Sequence, residues 1–365
     1  MLALKALFWA SFGALAWTHL LYPLAAAALA RVRTRAVRKA PIEPTVTVIV
    51  AAYNEEASIE RRLENLLALD YPADRLELVV TSDASTDGTH ELVERFGDRV
   101  RLIVNPRGGK VAAQDRAVRE TSGEILAFSD ANATWAPDAL RRLVENFADP
   151  EIAYVCGRLV LEAPDGSNKE GVYWRYELVQ REAESRLGSI TGGNGSIYAV
   201  RRSDYVEVDP KWGHDLSFPY RMVQQGRRAV YEPAARAFEK PTPSNETEYR
   251  RKVRMFEHCW EITLRGSMLK RLPPGYLVEV VSHRLLRYGS GILHLVLLAT
   301  SVALVGEGLL YQLVLGVQAL LLAAAAAGVG IARYYALVTW ATVVALWNYL
   351  RRGVPATWEA AEGTR

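Results

Sequence analysis

Four runs of apolar, mostly β-branched residues each end abruptly in polar side chains, and this pattern constrains the fold more than any other feature of the sequence. The runs span residues 45–52, 76–80, 100–104 and 124–128. Helical patterns separate them, and the first places Ile59, Leu63, Leu66 and Leu67 on one face. Regular alternation of strands and helices predicts an α/β fold, with a mostly parallel sheet covered by helices on both faces.

Three of these runs lead into acidic residues, which are Glu55, Asp83 and Asp130. In an open α/β sheet, ligands bind at the carboxyl ends of the strands, so we expect these side chains to meet at one edge. Asp130 and Asn132 are two residues apart and could offer oxygen ligands to one Mg²⁺ or Mn²⁺. The alternative is that each polar residue caps a helix or closes a turn.

The loop Gly108-Gly109-Lys110 follows the third run. It lacks the spacing of a phosphate-cradling P-loop, but it could place an ammonium group beside a diphosphate. The first helix does not open with Gly-x-Gly-x-x-Gly, which disfavours dinucleotide binding.

Four motifs together resemble the family 2 glycosyltransferases of GT-A fold: residues 51–56, 82–89, 108–110 and 129–132. The resemblance implies a Rossmann-like nucleotide-diphospho-sugar transferase domain and a nucleotide-diphosphate sugar as donor, with a UDP-sugar expected. It implies that Tyr53, Glu55 and Asp83 hold the base and ribose, with Lys110 near the nucleotide. The donor-binding set implied in this way is Ala52, Tyr53, Glu55, Asp83, Lys110, Asp130 and Arg254.

The same resemblance makes Asp130 the ligand of a metal that bridges the diphosphate, with Asn132 as its partner. The family motif at this position is Asp-x-Asp, and here the third residue is Asn132. A neutral amide oxygen is a weaker ligand than a carboxylate. The expected cofactor is Mg²⁺ or Mn²⁺.

Asp215 occupies the place where this family carries an acidic general base, usually written Glu-Asp, and His214 replaces the Glu. A carboxylate there would take the proton from an acceptor hydroxyl as that oxygen attacks the anomeric carbon, which inverts this centre. His214 could tune the pKa of Asp215, contact a phosphate or cap the helix. Gly193 and Asn194 lie in a glycine-rich segment that could approach a bound sugar, or form a plain tight turn.

The basic stretch that follows contains Arg251 and Arg254, and Trp260 comes shortly after. Relatives that polymerise sugars carry Gln-x-x-Arg-Trp here; Arg254 matches the Arg, while Arg251 and Met255 replace the Gln and Trp. Two cations on one helical face suit the phosphate of the donor or of a lipid-linked acceptor, and Trp260 joins this predicted acceptor set. The alternative is a basic helix lying on anionic lipid headgroups.

Residues 1–30 predict an N-terminal transmembrane helix, because residues 6–30 are almost entirely apolar. A signal peptide would have a shorter apolar core. Arginines 31, 33, 35 and 38 and Lys39 follow directly, whereas only Lys5 precedes the span. The positive-inside rule therefore predicts an outward amino terminus and a cytoplasmic catalytic domain at the inner membrane.

The remaining chain divides by composition. We expect a catalytic domain over residues 41–245, basic or amphipathic interface helices over 246–290, two or three transmembrane helices over 291–351, and a tail over 352–365. If all three C-terminal segments cross, the tail lies outside, against the positive-inside expectation. The spans carry few ionisable residues, which argues against a transporter.

These features predict a membrane-anchored, inverting glycosyltransferase that acts on a lipid-linked or saccharide acceptor and contacts membrane lipids. The formal net charge of +3 gives no reason to expect a nucleic-acid partner, and two distant cysteines fit a reducing compartment. One alternative is a small processive polysaccharide synthase, which could act as a homo-oligomer. The alternative of another class is a catalytically silent scaffold subunit that binds sugar nucleotides.

Overall fold

An eight-stranded sheet forms the centre of the catalytic domain. The computed structural model describes residues 1–162, 171–241 and 244–357. Across the sheet the strand order is β3-β2-β1-β4-β7-β6-β8-β5. The strands are β1 (Val46–Ala52), β2 (Leu76–Asp83), β3 (Arg101–Asn105), β4 (Ile125–Asp130), β5 (Thr134–Trp135), β6 (Ile152–Leu161), β7 (Tyr198–Arg201) and β8 (Arg228–Glu239).

The first four strands are parallel, as their sequence pattern predicts. The complete sheet is mixed, however, because β7 pairs antiparallel with both β4 and β6. In the register of the parallel half, Ala51 lies beside Asp130 and Ala52 beside Ser82. The carboxyl ends of β1, β2 and β4 therefore lie side by side, and their polar loops share one edge of the sheet.

Helices cover both faces of this sheet and extend from it. In chain order they are α1 (Leu2–Ala16), α2 (Tyr22–Val32), α3 (Ile59–Leu67), α4 (Thr89–Glu94), α5 (Lys110–Arg119), α6 (Ala139–Val144), α7 (Val172–Leu187), α8 (His214–Gln224), α9 (Asn245–Arg265), α10 (Pro274–Glu279), α11 (Leu286–Tyr288), α12 (Ser290–Ala303), α13 (Leu309–Ala326) and α14 (Gly330–Arg352). A π-helical turn over Trp17–Leu21 joins α1 to α2.

Two apolar cores lie on opposite faces of the sheet. On one face Val48 of β1 packs with Leu63 and Leu66 of α3. On the other, Ile49 packs with Val111 of α5 and Phe128 of β4. Neighbouring residues of one strand thus enter different cores, which explains why the strand reads as an uninterrupted apolar run.

Within the described residues, two helical segments are long and apolar enough to cross a membrane, namely Leu2–Val32 and Leu309–Ala326. Pro274–Tyr288 and Ser290–Ala303 would add a third span if this pair, bent by 66°, counts as one. Lys5 forms an ion pair of 2.8 Å with Glu307, in the turn that precedes α13. The beginning of α1 and this turn therefore lie at the same end of the helical bundle.

Buried polar contacts join the N-terminal helices to the catalytic domain. The hydroxyl of Tyr22 donates to Glu184 of α7 at 3.0 Å, and Thr18 donates to the carbonyl of Ser282 at 2.6 Å. The imidazole of His283 lies 2.6 Å from the same Glu184. The bond from Tyr22 links α2 to the catalytic domain, and the bond from Thr18 links the preceding turn to the segment Val280–Leu285, whose His283 also contacts Glu184. Together these bonds hold the three parts in one arrangement.

The last helix returns the chain to the catalytic domain. Helix α14 packs along α9, where Asn348 and Arg352 both donate to Glu257, at 2.8 and 3.1 Å. The backbone then reaches Gly109 in the catalytic domain. The described part of the tail is therefore on the same side as the catalytic domain. Residues 358–365 of the predicted tail lie outside the described residues.

Candidate active site

Asp83, the last residue of β2, organises the loop that leads into α5. One of its carboxylate oxygens accepts hydrogen bonds from the backbone N–H groups of Gly108 and Gly109, at 2.6 and 3.0 Å. The other accepts from the guanidinium of Arg107 at 2.5 Å. These bonds hold the loop over residues 107–109 in place. Asp83 therefore positions this loop, a role that the sequence motif did not predict.

The residues after β1 form the neighbouring wall. The guanidinium of Arg107 lies 3.4 Å from the ring centre of Tyr53, close enough for a cation–π contact. Glu55 is buried and accepts a hydrogen bond of 2.8 Å from the hydroxyl of Ser58, while Ala52 is buried in the strand itself. Tyr53 and Asp83 thus share Arg107, and their predicted nucleotide contacts would lie at one end of the site.

Lys110 and Asp130 form an ion pair at the centre of the site. Burial opposes the charge on the lysine, but Asp130, and more weakly Asp215 and Glu239, raise the pKa of the Lys110 ammonium. A partly buried cation held in place by an ion pair attracts anionic groups more strongly than a cation free in water. The structure therefore brings together Lys110 and Asp130, which the sequence places 20 residues apart.

Asp215 lies in the first turn of α8, where the partial positive charge of the helix end favours a carboxylate. Its backbone carbonyl accepts a hydrogen bond of 2.7 Å from the N–H of Gly193. Asp215 and Lys110 line one small cavity of about 30 Å³ together with Gly195 and Tyr198. The predicted base and the lysine of the central ion pair thus face the same space.

His214 is buried and lines the same cavity. One ring nitrogen lies 3.1 Å from the hydroxyl of Tyr198, and the ring stacks on Phe218 with centres 4.2 Å apart. Burial lowers the pKa of His214, although Asp115 opposes the shift. A neutral, enclosed imidazole supports the start of α8; its predicted contact with acceptor phosphate stays a prediction.

The glycine-rich segment before β7 packs closely on its surroundings. The amide of Asn194 donates to the carbonyl of Gly157 at 2.7 Å, and its oxygen accepts from the N–H of Ile197 at 3.1 Å. A Cβ on Gly193 would lie 2.2 Å from the hydroxyl of Tyr154. Asn194 therefore shapes the turn, and Gly193 allows the backbone to approach Tyr154; acceptor contacts of both residues remain predictions.

The surroundings of Asp130 fit a divalent cation. Asn132 lies in the loop after Asp130, and a Cβ on Gly195 would lie 3.0 Å from the ammonium of Lys110 and 3.3 Å from a carboxylate oxygen of Asp130. A glycine there keeps open the space that a cation and a diphosphate need. No group of three or more histidines, cysteines or acids arranged for a metal occurs in the described part of the chain. The predicted set of Asp130 and Asn132 would therefore share the ion with the donor.

Glu239, the last residue of β8, is a site residue that the sequence analysis missed. Burial and the nearby charge of Asp130 raise the pKa of Glu239 to about 7. Its oxygen Oε1 is buried without a hydrogen-bond partner among the described residues. The available signal was weak, since Glu239 ends a stretch over residues 228–239 in which apolar residues alternate with charged ones.

The basic helix α9 lies at the edge of the site. Arg251 is exposed and pairs with Glu248 at 2.9 Å, while burial and the charge of Arg251 lower the pKa of the half-buried Arg254. Trp260 is buried in an apolar cluster and its ring meets Tyr288, with centres 6.3 Å apart. This placement gives Trp260 a packing role in the helical bundle, and the phosphate contacts of both arginines stay predictions.

Arg284 is a second residue that the sequence did not single out for the site. It comes from the interface segment between α10 and α11, and its Nε donates to the hydroxyl of Thr191 at 2.9 Å. A Cβ on Gly192 would lie 2.6 Å from its guanidinium. No short-range pattern connects residues 192 and 284, so only the fold could reveal this contact.

Known proteins match this arrangement. Residues 47–208 match the model of the family described as glycosyl transferase family 2. The mannosyltransferase PcManGT of Pyrobaculum calidifontis, solved in complex with GDP-Man and Mn²⁺, superposes with a TM-score of 0.72. It is 27% identical, and the match covers 95% of this chain and 98% of that one.

Curated relatives match shorter stretches. The β-monoglucosyldiacylglycerol synthase of Synechocystis sp. is 33% identical over 175 residues, which are 45% of this chain and 36% of that protein. The poly-β-1,6-N-acetyl-D-glucosamine synthase of Staphylococcus aureus is 24% identical over 237 residues, 60% of this chain and 56% of its own. The matches thus span between a third and three fifths of these relatives. Together with the sheet order and the site, they show that residues 47–208 form a family 2 glycosyltransferase domain in a chain that has the GT-A fold.

Proposed function

We propose that this chain is an inverting transferase that moves a sugar from a nucleotide-diphosphate sugar to a hydroxyl of a lipid-linked or saccharide acceptor. The observation that carries the proposal is that Asp215 and Lys110 line one cavity, and that Lys110 is paired with Asp130. This arrangement brings a proton acceptor and a cationic group to the same space, and displacement of a diphosphate from a sugar requires both.

In the proposed reaction, an acceptor hydroxyl oxygen attacks the anomeric carbon of the donor. A new C–O bond forms to the acceptor, the bond from the anomeric carbon to the diphosphate oxygen breaks, and the acceptor proton passes to a carboxylate oxygen of Asp215. Attack opposite the leaving group inverts the anomeric centre. The helix end beneath Asp215 holds this carboxylate in place.

Lys110 serves the leaving group in this scheme. Its ammonium faces the cavity, and Gly195 leaves open the space beside it. Bound Mg²⁺ or Mn²⁺, held by Asp130 and Asn132, would supply further positive charge to the diphosphate. Tyr53, Glu55 and Asp83 would then lie toward the base and ribose.

The kinds of relatives support a choice of donors and acceptors to test. The neighbour from P. calidifontis binds GDP-Man with Mn²⁺, so GDP-mannose joins the UDP-sugars as a donor to test. The synthase from Synechocystis sp. is named for a glycolipid product, and this chain brings its own apolar helices against the catalytic domain. These features support a membrane-embedded acceptor, used from the cytoplasmic face of the inner membrane.

A small processive polysaccharide synthase is the second candidate, favoured by the match to the S. aureus polymer synthase. A homo-oligomeric arrangement belongs to this candidate. The mass of the product separates the two: one discrete product indicates single transfer, and a ladder of masses indicates polymerisation.

The test is donor turnover by the detergent-purified protein. UDP-, GDP- and TDP-sugars would be supplied singly with Mg²⁺ or Mn²⁺ and a membrane lipid extract, and released nucleoside diphosphate would be measured. The proposal expects turnover of one sugar nucleotide that depends on the metal. Nucleotide binding without turnover of any donor would instead support the silent scaffold.

A further inference from the structure

The described end of the chain lies against the loop that opens α5. We call residues 353–357 the C-terminal strap. The carbonyl oxygen of Ala356 lies 2.3 Å from the position that a Cβ on Gly109 would occupy, and the backbone nitrogen of Thr357 lies 3.5 Å from it. The two backbones therefore touch, and only a glycine at position 109 allows this contact.

Gly109 belongs to the core of the candidate site. Its N–H donates to both carboxylate oxygens of Asp83 at 3.0 Å, and the next residue is Lys110. Gly109 also has a φ of +95°, a backbone conformation that side chains disfavour. The strap thus meets the loop at the point that Asp83 fixes and that the proposed function assigns to the donor nucleotide.

Three contacts fix where the strap begins. Gly353 ends α14 with a φ of +67°, and its N–H donates to the carbonyl of Tyr349 at 2.8 Å. Val354 is buried among the side chains of α9, including Phe256. Just before the strap, Arg352 pairs with Glu257 at 3.1 Å. Because the start of the strap is anchored, the few residues that follow have limited conformational freedom. Their contact with Gly109 therefore costs little conformational entropy.

We propose that the C-terminal strap is part of the donor site: its backbone at Ala356 and Thr357 walls the nucleotide side of the loop over residues 107–110 and slows release of the nucleoside diphosphate. The inference rests on the proposed function, because it takes a nucleotide as the ligand. A wall supplied by a neighbouring segment lengthens the residence of a ligand without contributing to chemistry, which is how enclosing segments commonly act.

The test compares two truncated chains. One ends at Pro355 and lacks the contact with Gly109, while its control ends at Thr357 and keeps it. Fluorescently labelled GDP and UDP would be bound with Mn²⁺ and displaced by excess unlabelled nucleotide, and the release rate would be followed by stopped flow. We expect release from the shorter chain to be roughly tenfold faster, with the control unchanged from the full chain.

The results distinguish failure of the strap proposal from failure of the proposed function. Equal release rates from the two truncated chains, or slower release from the shorter one, would overturn the strap proposal while leaving the proposed function intact. Failure of the full chain to bind either nucleotide would overturn the proposed function and the strap's role with it. Thermal unfolding of both truncated chains checks that the comparison concerns folded protein.

Gly109→Ala supplies an independent test of the contact itself. In a chain ending at Thr357, the added methyl group meets the carbonyl of Ala356, whereas in a chain ending at Pro355 only the backbone strain remains. The substitution should therefore lower the unfolding temperature more in the longer chain than in the shorter one. An equal decrease in both chains would show that the strap does not press on Gly109 in solution and would overturn the proposal.

Discussion

At the scale of single residues, Asp130 has both a cationic and an acidic neighbour in the candidate site. Asp130 pairs with Lys110, lies near Glu239 and borders the space beside Gly195. These three ionisable groups are partly buried and close together, so the loss of any one charge affects the other two. Single substitutions here should therefore weaken binding of the donor more than they destabilise the fold.

Asp130→Ala should remove metal-dependent donor binding. The variant loses the carboxylate proposed to hold Mg²⁺ or Mn²⁺, so donor affinity in Mn²⁺ should fall by roughly 100-fold. Isothermal titration with and without Mn²⁺ measures this directly. The exposed Asp98→Ala is the control. If Asp130→Ala binds the donor with an unchanged response to Mn²⁺, Asp130 is not the ligand.

Gly195→Ala tests whether the space beside the ion pair is used. The new methyl group would lie 3.0 Å from the ammonium of Lys110, which can move aside because it ends a flexible chain. We therefore expect a folded protein whose donor affinity is roughly tenfold weaker. Gly171→Ala, where a Cβ meets open space, is the matched control. Equal affinities of the two variants would place the diphosphate elsewhere.

At the scale of elements, the alternation of strands and helices was predictable because each buried strand is an uninterrupted apolar run. The four parallel strands and helices such as α7 and α8 follow their sequence patterns closely. The antiparallel insertion of β7 was not predictable, since it depends on which strands neighbour each other in space. Glu239 and Arg284 reach the site through such long-range pairing, so motif reading could not place them.

One element with a defined role in stability is the segment that joins α2 to β1. Arg38 donates to Asp149 from its side chain and from its backbone, each at 3.1 Å. Although burial opposes ionisation, these bonds and one from the N–H of Glu151 lower the pKa of Asp149 to about 2. The segment is therefore held to the catalytic domain by an ionised carboxylate.

Asp149→Asn should destabilise the protein at neutral pH and much less in acid. The pKa of this carboxyl is lower in the folded chain than in the unfolded chain. The stabilisation that it provides is therefore complete above about pH 4 and is lost as the pH falls toward 2. We expect the substitution to lower the free energy of unfolding by about 1 kcal/mol at pH 7. This value is smaller than the pKa shift alone would give, because Arg38 is exposed and solvent screens its charge. Thermal unfolding between pH 3 and pH 7, with Asp98→Asn as control, measures it. A difference that is independent of pH would exclude this ion pair as the cause.

At the scale of the whole molecule, the apolar helices and the catalytic domain form a single arrangement with two ends. The pair Lys5–Glu307 marks one end, and the contact of Ala356 with Gly109 marks the other. The described part of the tail therefore lies on the same side as the catalytic domain. The number of apolar segments in the sequence did not decide on which side the tail lies. A lipid acceptor would meet the site between these ends.

Labelling of introduced cysteines in intact cells tests the predicted orientation. The natural thiols, Cys156 and Cys259, are both buried, so they give a low background. Gly306→Cys, in the turn near Lys5, should react with a membrane-impermeant maleimide from outside. The exposed Glu60→Cys of α3 should react only after lysis. If Glu60→Cys reacted from outside and Gly306→Cys only after lysis, the orientation would be opposite to the proposed one.

The role of Asp215 as proton acceptor is tested by comparing wild-type protein with Asp215→Asn, with the exposed Asp209→Asn as control. Nucleotide binding and sugar transfer to a membrane lipid extract would be measured on the same samples. The account predicts that Asp215→Asn binds the donor normally and transfers about 10²–10⁴-fold more slowly, because only the proton acceptor is lost. Transfer at a rate close to that of wild type would contradict the assignment of Asp215 as the base.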